Sequence, residues 1–266
     1  MEKIFGFIGV GNMGGTLARS VCRHITGRRI LLADTMRAKA QALADELRAT
    51  AVERQAVAER ADYIIIGVKP QGVEQLFEQI APALAQRKKP FVLVSMAAGV
   101  TMDRIRSLAG ADYPIIRIMP SMPCAVGEGV ILCDCKDVDE ASIDEFSEVM
   151  KDAGLLLPLG ERLFDAGGAI ASCGPAYVDL FLESLADAGV AGGLPREVAL
   201  RIASQMVMGS AKLQLESGKH PGELKDAVCS PSGSTIQGVR TLEAHGFRSA
   251  VMEAVLVSCD KNSKLG

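Results

Sequence analysis

The sequence predicts an α/β chain in two parts: a mostly parallel sheet covered by helices, then an all-helical domain. Three observations carry this expectation. Short apolar runs in the first half show little inner alternation, as strands buried on both faces do. Segments of helical period separate those runs. Beyond about residue 160 the strand signals stop and only helical spacing remains. The expected domains are residues 1–160 and 161–266.

The elements follow in order. Ile4–Val10 is a short apolar run, and Gly14–Ile25 carries Leu17, Val21 and Ile25 at helical spacing. Arg29–Ala33 reads as a strand and Arg37–Arg48 as an Ala/Leu-rich helix. Asp62–Val68 is a buried strand, Gln71–Ala85 a helix, and Phe91–Met96 and Ile115–Met119 further strands. Val130–Leu132 and Leu155–Leu157 read as closing strands, with a helix over Glu140–Ala153 between them. In the second half, Arg162–Ala171, Pro175–Gly189, Pro195–Glu216, Gly222–Val228, Ser234–His245 and Phe247–Lys261 read as helices. Proline stands near several of their starts and glycine near their ends, where each is tolerated.

Composition narrows the class of function. With 48% hydrophobic residues, 23% charged residues and a net charge of −3, the 266-residue chain suits packed domains rather than a disordered or nucleic-acid-binding polymer. No run of about 18 uncharged apolar residues occurs, so no membrane span is expected. Met1-Glu2-Lys3 leads at once into a strand pattern, which does not read as an export signal, and a cytoplasmic location is expected. Seven scattered cysteines, none at Cys-x-x-Cys spacing, and three histidines argue for reduced thiols and against a metal site. The segments Val178–Val190 and Val198–Leu215 are apolar round most of each helix, through Leu180, Phe181, Leu182, Leu185, Leu200, Ile202, Met206, Val207, Met208 and Leu213. A domain of that size has little interior for them, so a homodimer or larger assembly is expected.

The first strand runs into Gly9-Val10-Gly11-Asn12-Met13-Gly14, a Gly-x-Gly-x-x-Gly that opens a helix. Gly9 permits the tight turn, Gly11 lets backbone approach a pyrophosphate, and Gly14 lets the helix pack on the strand. The helix N-terminus offers N–H groups and partial positive charge to phosphates. Glycines also make ordinary turns, but a position after a strand, before a helix and inside a βαβ pattern points to a Rossmann-type dinucleotide domain. At the end of the second strand, Asp34 suits ribose hydroxyls and NAD, whereas Arg37 suits a 2′-phosphate and NADP. Asp34 also reads as a plain loop acid or helix cap, and both cofactors stay open. Two more loops follow strands on the carboxyl edge: Val68-Lys69-Pro70 and Ala97-Ala98-Gly99. There, small residues and proline would let a flat ring lie near the backbone.

In the second half, His220-Pro221-Gly222-Glu223-Leu224-Lys225-Asp226 precedes Cys229-Ser230-Pro231-Ser232-Gly233-Ser234-Thr235. Hydroxyls gathered before a helix suit a carboxylate, and equally suit an ordinary N-cap.

These segments resemble the signature of pyrroline-5-carboxylate reductases. So do Gly9–Gly14, Val68-Lys69-Pro70, Ala97-Ala98-Gly99-Val100, Arg117-Ile118-Met119-Pro120, Gly174-Pro175-Ala176-Tyr177 and Met208-Gly209-Ser210-Ala211-Lys212, in one order from the first strand to about Ser258. The resemblance implies a nucleotide domain followed by a dimerisation domain that interleaves with its partner, often within a larger ring such as a decamer. It implies reduction of 1-pyrroline-5-carboxylate to L-proline with NADPH or NADH, the last step of proline biosynthesis. It further implies that Ser230, Gly233, Ser234 and Thr235 hold the substrate carboxylate, with Thr235 beside the ring nitrogen as the catalytic group. Gly9, Gly11, Asn12, Met13, Gly14, Asp34, Arg37, Val68, Lys69, Pro70, Ala97, Ala98 and Gly99 are the expected cofactor contacts, and no metal is implied.

Three departures from the family pattern stand out. Ser232 stands where glycine is usual, and would be strained if that position needs a positive φ. Ser121-Met122 replaces an amide and a hydroxyl, and Cys173 replaces a smaller residue. Competing readings are a β-hydroxyacid dehydrogenase, a non-catalytic nucleotide-sensing dimer, and a reductase of another cyclic imine. The first needs a lysine on the first long helix of the second domain, yet none occurs between Lys151 and Lys212.

Overall fold

The computed structural model describes residues 3–264. By packing, the chain divides into two compact units, residues 1–172 with 258–266 and residues 173–257.

The first unit is built on a single eight-stranded sheet. In chain order its elements are β1 (Phe5–Ile8), α1 (Asn12–His24), β2 (Ile30–Ala33), α2 (Arg37–Leu47), β3 (Thr50–Ala51), α3 (Arg54–Arg60), β4 (Tyr63–Ile66), α4 (Val73–Ala85), β5 (Val92–Ser95), α5 (Met102–Ala109), β6 (Ile115–Pro120), β7 (Gly129–Lys136), α6 (Glu140–Met150), β8 (Gly154–Pro158) and α7 (Phe164–Ala171). The strand order is β3-β2-β1-β4-β5-β6-β7-β8. Every neighbouring pair is parallel except β6 with β7.

Side chains of each strand point alternately to the two faces, and both faces are covered. One face gathers Phe5, Phe7, Ile30, Leu32, Tyr63 and Ile65 against α1 and α6; the other gathers Ile8, Leu31, Ile64 and Ile66 against α3, α4 and α5. Both sets are buried, so the strands read as continuous apolar runs rather than alternating ones. Leu17 and Val21 of α1 are fully buried, and each such side chain contributes about 1.5–3 kcal/mol.

Near the end of this unit a buried charge is paired. The Arg117 guanidinium lies 4.9 Å from the Phe164 ring and donates to Glu161 Oε1 at 2.7 Å. That same oxygen accepts the Met102 N–H at 2.7 Å. The cluster ties β6, the start of α5 and the turn before α7 together. Removal of the Glu161 carboxylate would leave the buried Arg117 charge unpaired.

The second unit contains α8 (Gly174–Ala191), α9 (Arg196–Ser217), α10 (Pro221–Ala227), α11 (Ser234–Ala244) and the first part of α12 (Phe247–Asn262). Among its described residues only Ala186, Ala199 and Ala203 are buried. Large side chains stand open instead: Leu180 is 65% exposed, Met208 58% and Leu215 77%. Apolar surface on this scale needs a partner surface.

Candidate active site

Three loops meet at the carboxyl edge of the sheet. Each is stitched to the strand beside it by its first N–H. Gly9 donates to Ala33 O at 2.8 Å, Gly67 to Ile8 O at 2.8 Å, and Met96 to Ile66 O at 3.3 Å. The turn between β1 and α1 is tight: Gly9 has φ +96°, and a Cβ on Gly14 would stand 2.1 Å from Gly9 O. A Cβ on Gly11 would meet nothing within 4 Å. Gly14 is thus required by packing, while Gly11 presents bare, exposed backbone. The N-terminus of α1 has no side-chain cap, so its first N–H groups are open to an anion.

Beside this turn lies a cleft of about 310 Å³, lined by Gly9, Gly11, Asp34, Arg54, Gly67 and Lys69 among others. Glycines that a Cβ would block, a free helix N-terminus and a lysine together fit a dinucleotide. Asn12 opens α1 and is exposed, with Met13 half-buried behind it. Val68 lines the cleft, and Pro70 begins the short turn that follows Lys69. On the next loop Ala97 is buried, Ala98 is half-buried, and Gly99 has φ +74°.

The two candidate selectors of the ribose end differ in placement. Asp34 lines the cleft, but its carboxylate is committed to backbone. Oδ2 accepts the Val10 N–H and Oδ1 the Met36 N–H, each at 2.9 Å. Arg37 is not among the cleft residues; its guanidinium is 83% exposed and faces Glu53 at 3.6 Å. Arg54, at the start of α3, does line the cleft and was not anticipated from the sequence.

In the helical unit, Gly233 N donates to Ser230 O at 3.0 Å, closing a turn through Pro231 and Ser232. Ser232 has φ +60°, so serine occupies the left-handed conformation that glycine adopts more cheaply. Helix α11 then begins at Ser234 with no side-chain cap. Of the two uses left open for this loop, capping is therefore not realised. The first-turn N–H groups lack a side-chain partner, and Ser234 and Thr235 are exposed.

The chemistry of the remaining candidates is limited. His24 ends α1, His220 caps α10 by accepting the Gly222 N–H, and His245 follows α11. Burial pushes the Cys133 thiol up to about 12 and raises those of Cys22, Cys124 and Cys135. At neutral pH these four are protonated and poor nucleophiles.

Comparison with known proteins gives the relatives of this chain. A family model described as pyrroline-5-carboxylate reductase dimerisation matches residues 161–265. One described as NADP oxidoreductase coenzyme F420-dependent matches residues 4–99. The pyrroline-5-carboxylate reductase of Escherichia coli is 39% identical, with 100% of this chain and 99% of that protein covered. That of Glycine max is 36% identical, with 98% and 95% covered.

The chain belongs to the pyrroline-5-carboxylate reductase family. Its reaction is the NAD(P)H-dependent reduction of 1-pyrroline-5-carboxylate to L-proline. Among solved structures, a Plasmodium falciparum pyrroline carboxylate reductase with NADP bound superposes with a TM-score of 0.89 at 29% identity, covering 100% of this chain and 98% of that one. The family likeness and the exposed apolar helices both make the chain an oligomer-forming one. Among the described residues, no helix is long and apolar enough to cross a membrane.

Two departures from the family pattern now have a structural account. Ser121 is buried, and its hydroxyl accepts the Val130 N–H at 2.8 Å, so it fastens the start of β7. Met122 beside it is 52% exposed. Cys173 directly precedes α8 and is half-buried, with no strain in its backbone.

Proposed function

We propose that the loop Ser230–Thr235 holds the substrate for this reaction, while the glycine turn and the carboxyl edge of the sheet hold the nucleotide. The observation that carries the first half is the uncapped N-terminus of α11, standing beside hydroxyl groups. The N–H groups of Ser234 and Thr235, with the Ser230 hydroxyl, supply the donors a carboxylate needs, while the Gly233 N–H closes the turn onto Ser230 O and holds the loop in shape. Gly9, Gly11, Asn12, Met13 and Gly14 would cradle the phosphates. Val68, Lys69, Pro70, Ala97, Ala98 and Gly99 would line the remaining length of the cofactor.

When bound, the reduced nicotinamide supplies the hydride. Residues of the chain then have three tasks: hold the carboxylate, position the ring and exclude water. A cyclic imine protonates near neutral pH, so no strong general acid is required. The Thr235 hydroxyl oxygen would accept a hydrogen bond from the protonated ring nitrogen, the role the family resemblance implies. In an interleaved homodimer the nucleotide and the substrate loop of one site come from different subunits.

The functional division is drawn at 160/161, with nucleotide contacts in 1–160 and substrate and dimer contacts in 161–266. The dimerisation family model, which begins at residue 161, supports this limit. Further assembly into a decamer is the larger form the family suggests, and light scattering in solution reads it directly. A cytoplasmic location is supported by seven cysteines that are all free thiols.

Thr235→Ala tests the assignment. Loss of this hydrogen bond to a charged group should lower kcat/KM by roughly 10- to 100-fold, with cofactor affinity kept. Unchanged kinetics would defeat it.

A further inference from the structure

The cleft contains a cation, Arg54, that lies outside the sequence motifs. β3 pairs with β2 through Leu31 with Thr50 and Leu32 with Ala51. This pairing brings the exit of β3 to the same edge as the end of β2. Arg54, the first residue of α3, thereby lines the nucleotide cleft together with Asp34 and Thr35. The same three residues line an adjoining cleft of about 460 Å³, so the position extends beyond the glycine turn into open space.

Three features decide what this guanidinium suits. First, it bonds to a neutral side chain: Arg54 Nη1 donates to Gln79 Oε1 at 2.7 Å. The adjacent carboxylate, Glu53, faces Arg37 instead. Second, Arg54 is half-buried whereas Arg37 is 83% exposed, so Arg54 pays less ordering entropy on binding and is less screened. Third, Asp34 is a weak competitor for the same ligand. Its two oxygens already accept the N–H groups of Val10 and Met36, and the Thr35 hydroxyl lies 3.2 Å from Oδ1. An acid tied in this way has fewer lone pairs for ribose hydroxyls, and its charge is spread over several donors.

We propose that Arg54, rather than Arg37, reads a 2′-phosphate on the adenosine ribose and makes the enzyme NADPH-preferring. A planar guanidinium forks onto two oxygens of a phosphate dianion, and NADH has no such group. Thr35 lies beside the same position. This inference rests on the placement of the nucleotide along the glycine turn.

The test is binding without imine, so turnover plays no part. Dissociation constants for NADPH, NADH and 2′,5′-ADP are measured by fluorescence or calorimetric titration for the native protein, Arg54→Gln, Arg54→Lys and Arg37→Gln. The native protein should bind NADPH more tightly than NADH. Arg54→Gln should weaken NADPH and 2′,5′-ADP by roughly 10- to 100-fold and leave NADH unchanged. Arg54→Lys should restore part of the loss, and Arg37→Gln should change neither nucleotide selectively. Equal weakening of NADPH and NADH by Arg54→Gln, a selective loss in Arg37→Gln instead, or native preference for NADH would each overturn the proposal. Failure of the native protein to bind any of the three would instead overturn the placement of the nucleotide itself.

Discussion

Gly233→Ala probes the substrate loop at one atom. Gly233 sits at φ −69°, ψ 168°, a conformation open to any residue, so the restriction is one of space. A Cβ there would stand 2.3 Å from Ser230 Oγ and 3.1 Å from the Ser230 carbonyl oxygen. The hydroxyl must retreat by roughly 1 Å to reach ordinary contact. Rotation about χ1 provides most of that retreat, so the fold should survive with a cost at the low end of about 1–3 kcal/mol. The hydroxyl, however, is driven from its place beside Gly233, from which the uncapped helix α11 starts. Loss of one hydrogen bond to a carboxylate removes about 1.5–3 kcal/mol, roughly 10- to 150-fold in kcat/KM. Steady-state kinetics with varied imine should show this loss mainly in KM, with the NADPH dissociation constant unchanged. Ser230→Ala combined with Gly233→Ala should be little worse than either change alone, because both remove the same hydroxyl. Native kinetics in Gly233→Ala, or an equal loss of nucleotide affinity, would refute the reasoning.

Two further substitutions test separate parts of the account. Ser232→Gly should stabilise the chain: a non-glycine residue at φ +60° costs roughly 1–2 kcal/mol, and the added freedom of glycine in the unfolded chain takes back about 0.4–1 kcal/mol. Thermal unfolding should show a rise of a few degrees, and a lowered Tm would contradict the strain. Tyr63 is buried, its ring stacks on Phe5 at 4.6 Å, and its phenol lies 2.8 Å from Glu145 Oε2 and 3.0 Å from Ser142 O. Burial, reinforced by Glu145, pushes the Tyr63 phenol above its ordinary value. The folded state therefore holds this proton more tightly than the unfolded one. The stability it contributes is complete below about pH 10 and is lost as pH rises beyond that. Tyr63→Phe should lose about 0.5–1.5 kcal/mol at neutral pH and show a shallower decline above pH 10 in urea unfolding. Parallel pH profiles for the two proteins would contradict this.

Long periodic segments were legible in the sequence, and short or context-bound ones were not. The strands β1, β2, β4, β5 and β6 stand within two residues of their expected limits because both faces of the sheet are covered and each reads as an apolar run. β3 spans only Thr50–Ala51, too short for any period to show. α3 and α5 are short and rich in charge, so their apolar faces did not stand out. Thr101 caps α5 by accepting the Arg104 N–H, a local signal that could have revealed it. Arg54 escaped for a different reason. It reaches the cleft only because β3 lies beside β2, and no motif spacing contains that adjacency. The strain at Ser232 was conditionally visible, since a glycine position replaced by serine is strained only if its φ is positive. Ser121 shows the reverse: what looked like a lost polar contact is a hydroxyl turned inward to fasten β7.

The most direct test of the central claim follows NADPH and NADH oxidation by the purified protein, with and without 1-pyrroline-5-carboxylate, with proline assayed as product. Oxidation that depends on the imine and yields L-proline in equal amount is the expected result. Clear nucleotide binding with no imine-dependent oxidation would contradict the account.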